Sequence, residues 1–150
     1  MTTHYEGSED ARRALDTYIK LLRAYNSVTS RLKRHVAQHD LTFSQLGVLE
    51  TLLHLGPKCQ SDLSEKLLLS SGNITTVVDN LEKRGLVKRT RNPADRRFVD
   101  VSLTEDGRAL ISGYFPDHAA EIVAALDALT PEEQETFAAL CKKLGLANAG

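Results

Sequence analysis

Cationic side chains are concentrated in one short stretch in the second half of the chain. Positions 83 to 97 hold one acid, Asp95, and seven basic residues, which are Lys83, Arg84, Lys88, Arg89, Arg91, Arg96 and Arg97. From Glu105 onward the balance reverses, with eight acids against three bases. A cationic patch on an otherwise acidic molecule is typical of a surface that binds a polyanion. A solvated charged hairpin would have the same composition and is the alternative.

Short polar side chains lie just before this patch, on a helix predicted from about Ser71 to Arg84 and preceded by Ser70 as a capping residue. Its apolar stripe has helical spacing and consists of Ile74, Val77, Val78 and Leu81. The opposite face is almost uncharged near its N-terminal end and consists of Asn73, Thr75, Thr76, Asp79, Asn80 and Lys83. A helix that only faces solvent more often carries Glu and Lys there, so this face is expected to contact another molecule.

Two earlier helices and a hairpin must position these groups. Thr42 and Gln45 have the spacing of a capping box, so a helix is predicted to start there and to end before Pro57. After Gly85, which suits a left-handed helix end, the apolar period changes from helical to two. The remaining predicted elements are a short helix over 60–68, a strand over 86–91, a turn at 92–95 and a return strand over 97–103.

This order of elements predicts a helix-turn-helix followed by a basic wing, which suits binding to double-stranded DNA. A major groove admits one helix, and short polar groups at its N-terminal end can reach base edges; the candidates are Ser70, Ser71, Asn73, Thr75 and Thr76. Arg96 and Arg97 at the wing tip are expected to enter a minor groove, where the potential is most negative. The candidates for phosphate contacts are Lys83, Lys88, Arg89 and Arg91.

Long apolar helices are predicted at both ends of the chain, over about 10–40 and 105–146. The first is too long for the core of a small domain to cover, so it is expected to pack against a partner or against distant parts of the chain. Within the last segment Pro116 predicts a kink or a break. Thr130, Pro131 and Glu133 then predict the start of a final helix.

Two sequence motifs resemble those of the MarR family. The run Asp95 to Thr104 (DRRFVDVSLT) is similar to the family's wing motif, and Asn80 to Val87 (NLEKRGLV) is similar to the end of its recognition helix. Other segments, Ser71 to Thr75 and Phe115 to Ala119, resemble the MhqR-like branch of that family. The resemblance covers nearly the whole chain.

The resemblance implies a mostly α (α+β) fold, a winged helix-turn-helix with long dimerisation helices. It implies one domain over 1–150, with a DNA-binding part at 41–104 and dimerisation helices at 10–40 and 105–146. It also implies a homodimeric repressor on a pseudo-palindromic operator, released by a small phenolic, aromatic or quinone-like ligand or electrophile. In the wing it implies that Arg97 enters the minor groove and that Asp95 holds this arginine in place.

The two cysteines have different settings. Cys59 is predicted just before a short helix, whose N-terminus favours a thiolate, so alkylation or oxidation there is one hypothesis. The alternative is a small, partly buried side chain in a turn. Cys141 falls on the apolar side of the last helix and is predicted to pack in a core. Two cysteines suggest no disulfide framework, and a reducing cytoplasm is expected.

A few aromatic and histidine side chains are candidates for an effector site. Tyr18, Tyr25 and Phe43 are expected either to line a cleft beside the winged domain or to fill its core. His35 and His39 are one helical turn apart, but no further ligands accompany them at metal-binding spacing. Packing at a dimer core or ligand pocket is therefore favoured over a metal site.

Other classes of protein receive little support. There is no phosphate-binding loop, nucleophile elbow or paired-carboxylate motif, so no enzyme and no cofactor are predicted. The acidic start does not resemble a secretory signal, and no apolar run has the length of a membrane span. A winged protein-interaction module is the main rival, and the retained basic residues Arg91, Arg96 and Arg97 favour DNA.

Overall fold

Six helices and three short strands make up residues 2–150, which are the residues that the computed structural model describes. The helices are α1 (Glu9–Ala37), α2 (Phe43–Leu55), α3 (Gln60–Leu67), α4 (Ser71–Lys83), α5 (Glu105–Ala125) and α6 (Pro131–Asn148). The strands are β1 (Lys58–Cys59), β2 (Val87–Arg91) and β3 (Val99–Leu103). The predicted mostly α (α+β) winged-helix class is confirmed.

Local capping chemistry starts the helices. Thr42 accepts a hydrogen bond from the backbone of Gln45, whose side chain accepts one from the Thr42 backbone, so the predicted capping box is present. Thr130 and Glu133 form a second box at the start of α6. At the end of α4, Gly85 has a positive φ of 72°, which suits glycine because it has no Cβ.

The sheet places the wing beside the helices. β3 is its central strand and pairs antiparallel with both β1 and β2. Arg89 lies opposite Val101, and Cys59 lies opposite Asp100 on the other side of β3. β1 was not predicted, because two residues are too few to show an alternating apolar pattern.

The hydrophobic core lies under the helix-turn-helix and the wing. It is formed mainly by α2, α3, α4, the two long strands and the first half of α5; its largest fully buried side chains are Leu46, Leu49, Leu52, Leu63, Ile74, Leu81 and Ile111. Of the long helix α1, only Leu32 and Val36 are buried. Burial of this apolar surface is the main favourable term that holds α2 to α5 together.

Helices α1 and α6 leave apolar stripes uncovered in a single chain. On α1 the exposed side chains recur at three- and four-residue steps, in Leu15, Tyr18, Leu22 and Tyr25. On α6, which has no buried residue, the exposed stripe consists of Phe137, Leu140 and Leu144. Among the described residues, no helix combines the length and the apolarity needed to cross a membrane.

The structure excludes a break at Pro116, while the alternative of a kink there stays a prediction, and it contradicts the core position expected for Cys141. Helix α5 continues through Pro116 without a break. Pro116 has no backbone N–H to donate to the carbonyl of Ser112, one turn earlier in the helix. Both residues are exposed, so water can donate a hydrogen bond to that carbonyl instead. Cys141 is exposed instead of packed in a core, because α6 lies outside the core of its own chain.

Candidate nucleic-acid interface

A tight turn presents the N-terminal end of α4 to solvent. Leu68 ends α3 in the left-handed conformation, with φ of 55°, and Ser70 then caps α4 by accepting a hydrogen bond from the Asn73 backbone at 3.2 Å. The predicted base-contacting residues Ser70, Ser71, Asn73, Thr75 and Thr76 are all exposed at this end. Free N–H groups and the helix dipole make such an end attractive to a phosphate.

The two threonines of this end are oriented by the backbone of their own helix. The Thr75 hydroxyl donates to the Ser71 carbonyl at 2.9 Å, and the Thr76 hydroxyl donates to the Gly72 carbonyl at 3.2 Å. Thr75 also accepts a hydrogen bond from the side chain of Gln60 on α3, at 3.1 Å. These bonds fix the direction of the side chains before any ligand binds.

The tip of the wing, residues 92–98, is held by its own hydrogen bonds. Asn92 accepts bonds from the backbones of Ala94 and Asp95 through its side chain, as in an Asx turn. Its amide group donates to Asp100 at 2.9 Å. Arg91 donates to the Arg96 carbonyl at 2.9 Å, which makes it a brace of the tip as well as a surface cation. The tip is therefore shaped independently of DNA.

Arg97 projects from this tip. Asp95 accepts from its guanidinium at 2.6 and 3.0 Å, while 85% of the Arg97 side chain stays exposed. The bond from Arg97 holds the pKa of Asp95 below its ordinary value, and Asp95 in turn raises the pKa of Arg97. The pair is the arrangement that the family resemblance implies, with the carboxylate orienting an arginine that remains accessible.

The other basic residues fall into two groups. Lys83, Lys88 and Arg96 are exposed and form no ion pair within the described residues. This exposure permits the phosphate contacts predicted for Lys83 and Lys88 and the minor-groove contact predicted for Arg96, and all of these contacts stay predictions. Arg89 differs, because only 22% of its side chain is exposed and its guanidinium bonds Asp79 at 2.7 Å. Gln60 and Asp79 were not among the predicted site residues, and no local spacing links them to Arg89.

Histidine and tyrosine side chains meet where α1 packs against α5. His35 Nδ1 lies 3.1 Å from the hydroxyl of Tyr114, and the ring of His39 is centred 4.2 Å from the Tyr114 ring. Burial, with Asp117 and Glu121 nearby, raises the pKa of Tyr114. The structure thus brings His35 and His39 together by packing. Residues 2–150 contain no group of three or more His, Cys, Asp or Glu arranged to hold a metal ion.

The remaining effector candidates, Tyr18, Tyr25 and Phe43, do not form one cluster with His35 and His39 in a single chain. Tyr18 and Tyr25 lie on the exposed stripe of α1 and are 59% and 64% exposed, so neither fills the core. Tyr18 is 17 residues from His35 on one helix, which places them about 25 Å apart along its axis. Phe43 begins α2 and is 38% exposed. Within residues 2–150 of a single chain, these side chains therefore do not line one common cleft.

Cys59 occupies the residue before α3 and is partly buried. Its Sγ atom lies 3.0 Å from the Ser61 hydroxyl. Together with Phe98 and Asp100 of the wing it lines an open depression of about 430 Å³. Small molecules can reach this face, and the reactivity of Cys59 stays a prediction.

The fold and the exposed groups define a winged helix-turn-helix protein. Residues 41–99 match the sequence pattern of the MarR family. The chain is 40% identical to the HTH-type transcriptional regulator MhqR of Bacillus subtilis, over 89% of this chain and 92% of that protein. The chain therefore belongs to the MarR family of transcriptional regulators, which are not enzymes.

Solved structures support the same assignment. The structure of Bordetella bronchiseptica BpsR, whose DNA binding is regulated by 6-hydroxynicotinic acid, has a TM-score of 0.77 and 29% identity, covering 86% of this chain and 98% of that one. AbsC, a MarR-family regulator of Streptomyces coelicolor, has a TM-score of 0.85 over 95% of this chain and 97% of its own, with 21% identity. AbsC supports the fold alone.

Proposed function

We propose that this protein is a homodimeric repressor that binds a pseudo-palindromic operator and is released by a small phenolic or quinone-like ligand or electrophile. Residues 41–104 form the DNA-binding part, and 10–40 with 105–146 form the dimer. The observation that carries the proposal is the exposed Arg97, oriented by Asp95 on a braced wing, in a chain that also exposes the polar N-terminal end of α4. These are two separate contacts, one suited to a minor groove and one to a major groove.

The uncovered stripes on α1 and α6 support the dimer. Seven large apolar side chains recur there at helical spacing, and a second copy would remove them from water. Two-fold symmetry would place the two α4 helices on half-sites about 34–36 Å apart, one turn of B-DNA. Binding of the dimer to an operator within a promoter would then be enough for repression, because the bound dimer excludes RNA polymerase from the same stretch of duplex.

Release is supported by the junction between α1 and α5. His35, His39 and Tyr114 offer aromatic faces and hydrogen-bonding groups there, which suit a small aromatic acid or phenol. A ligand that favoured one relative position of the dimer helices and the winged part would change DNA affinity through its differential binding to the two states. In BpsR, DNA binding is regulated by a small aromatic acid, 6-hydroxynicotinic acid.

The DNA proposal is tested by selecting bound sequences from a random duplex library and then titrating the selected duplex by fluorescence anisotropy. Arg97→Ala should bind it at least about 100-fold more weakly, since a minor-groove arginine and its bonds are lost. The melting temperature should be unchanged, because the side chain is exposed. If this variant binds as well as wild type, the wing has no part in the mechanism.

The salt response separates DNA binding from the rival class, a winged module that binds proteins. Phosphate contacts release counterions, so the logarithm of the affinity should fall steeply and linearly with the logarithm of salt concentration. A flat response, or a purified protein that remains a monomer, would favour the rival.

Release is tested by adding a phenolic acid or a benzoquinone to the protein–DNA complex and following the loss of anisotropy. Repression is tested by measuring transcription in vitro from a promoter that overlaps the selected site.

A further inference from the structure

Arg89 of strand β2 connects the wing to two helices. Its Nη2 atom donates to Asp79 on α4 at 2.7 Å, and its Nη1 atom donates to Glu82 on the same helix at 3.1 Å. Its Nε atom donates to Gln60 on α3 at 2.9 Å. The second carboxylate oxygen of Glu82 accepts from the Arg89 backbone at 3.2 Å. One residue therefore fixes α3, α4 and β2 relative to one another.

The connection extends to a residue at the exposed end of α4. Gln60 accepts from Arg89 through its oxygen, and the nitrogen of the same amide donates to the Thr75 hydroxyl at 3.1 Å. This orients the amide, since each of its two ends has one partner of the correct kind. Thr75 in turn donates to the Ser71 carbonyl. A path of three hydrogen bonds therefore runs from the wing strand to the helix end proposed to contact bases.

The same geometry makes Arg89 unsuited to a direct phosphate contact. Each of its three side-chain nitrogens already donates a bond within the protein, and two of the acceptors are carboxylates. A phosphate could use only the two remaining N–H groups of this guanidinium, on a side chain that is 22% exposed, and it would meet the carboxylates of Asp79 and Glu82 beside them. The neighbouring Lys88, in contrast, is exposed and forms no ion pair within residues 2–150.

We infer that Arg89 is a positioning residue for sequence recognition, which holds α4 and Thr75 in register with the wing and does not itself bind the phosphate backbone. This revises the phosphate role that its place in the basic run predicts, and it rests on the proposed function. Its neutralisation of Asp79 and Glu82 also limits the repulsion between these carboxylates and DNA. The planar, forked guanidinium is required, because an ammonium group cannot match three acceptors in this geometry.

Arg89→Lys tests this inference because it keeps the charge and removes the fork. Affinity for the selected duplex should fall about tenfold, the loss expected when charge-assisted bonds are broken. Affinity for a scrambled duplex of the same composition and length should not change. If Arg89 is a phosphate contact, lysine replaces it and both affinities stay at wild-type values, which would overturn the inference. Arg108→Lys on α5 is the matched control, because this arginine is exposed and forms no ion pair within residues 2–150, and it should leave both affinities unchanged.

Asp79→Asn gives a second test whose two possible results have opposite signs. A positioning role predicts weaker binding to the selected duplex, because Arg89 loses one of the partners that hold α4. A phosphate role predicts tighter binding to both duplexes, because a negative charge has been removed and the arginine freed. Thermal melting shows whether each variant is folded. If Arg89→Lys does not fold, Asp79→Asn still tests the inference.

Failure of the proposed function has a different signature. In that case the wild-type protein would bind the selected and the scrambled duplex equally, and so would every variant at position 89. As a reference for a true phosphate contact, Lys88→Ala should weaken binding to both duplexes equally and reduce the salt slope by about 1. Arg89→Lys should leave that slope at the wild-type value.

Discussion

The start of α5 packs so closely against the chain before β2 that a single methyl group should disrupt it. A Cβ atom added at Gly107 would lie 1.9 Å from the Leu86 carbonyl oxygen and 2.8 Å from its carbon. Both atoms belong to the backbone, so no side-chain rotation relieves the overlap. Helix α5 would have to retreat by at least about 1.5 Å to restore an ordinary contact distance. Gly107→Ala is the perturbation.

The size of the effect follows from what such a retreat breaks. Thr104 donates its backbone N–H to the Leu86 carbonyl at 3.1 Å and its hydroxyl to the Gly85 carbonyl at 2.6 Å. Overpacking costs about 1–3 kcal/mol, and each lost hydrogen bond adds about 1 kcal/mol. The higher helix propensity of alanine offsets about 1 kcal/mol of this. The expected net loss is about 3 kcal/mol, or roughly 6–12 °C in melting temperature for a chain of this size.

The assay is thermal and urea unfolding followed by circular dichroism, at one fixed protein concentration because a dimer gains stability with concentration. Gly113→Ala on the same helix is the matched control, since its Cβ would meet nothing within 4 Å. That variant should gain about 0.5–1 kcal/mol. If Gly107→Ala melts within a degree of wild type, the close packing inferred between α5 and Leu86 is wrong.

Two further predictions concern titration and reactivity. Burial lowers the pKa of His118 below 6.5, against a smaller opposing effect of Glu50, so the unfolded chain takes up a proton that the native state resists. Above pH 6.5 this group should therefore not affect the free energy of unfolding, and below pH 6.5 it should lower it by at most about 1.4 kcal/mol per pH unit. Urea titrations at several pH values should show a smaller decrease for His118→Gln than for wild type. Equal decreases would exclude the effect. If quinones act through the thiol of Cys59, Cys59→Ser should no longer release DNA on addition of benzoquinone but should still release it on addition of phenolic acids. Cys141→Ser, the control, should retain both responses. A normal response of Cys59→Ser to benzoquinone would leave Cys59 with a structural role only.

Features that depend on neighbours in sequence were predictable. The capping box of Thr42 and Gln45 needs only two residues three positions apart, and the left-handed helix end needs only Gly85. The wing pair, which the family resemblance implied, also joins close neighbours, because Asp95 and Arg97 are two residues apart. The periods of apolar residues likewise predicted α2 to α4 and the hairpin to within a few residues.

Features that depend on distant parts of the chain were not predictable from these patterns. Arg89 looked like one more cation of the basic run, and only the fold shows that Asp79 and Gln60, 10 and 29 residues away, take up its donors. Pro116 was expected to kink or break the helix, and local rules could not show that the carbonyl left without its donor belongs to an exposed residue. Cys141 looked like a core residue because an apolar stripe does not reveal what covers it.

The sequence by itself determined the order of the elements, their caps, the basic wing and the family to which the chain belongs. The tertiary structure alone decided which charged groups remain accessible to a ligand and which are bonded within the protein. The physical reason is that hydrogen bonds within a turn or a helix join residues a few positions apart. Burial and ion pairing depend instead on the path that brings distant segments together.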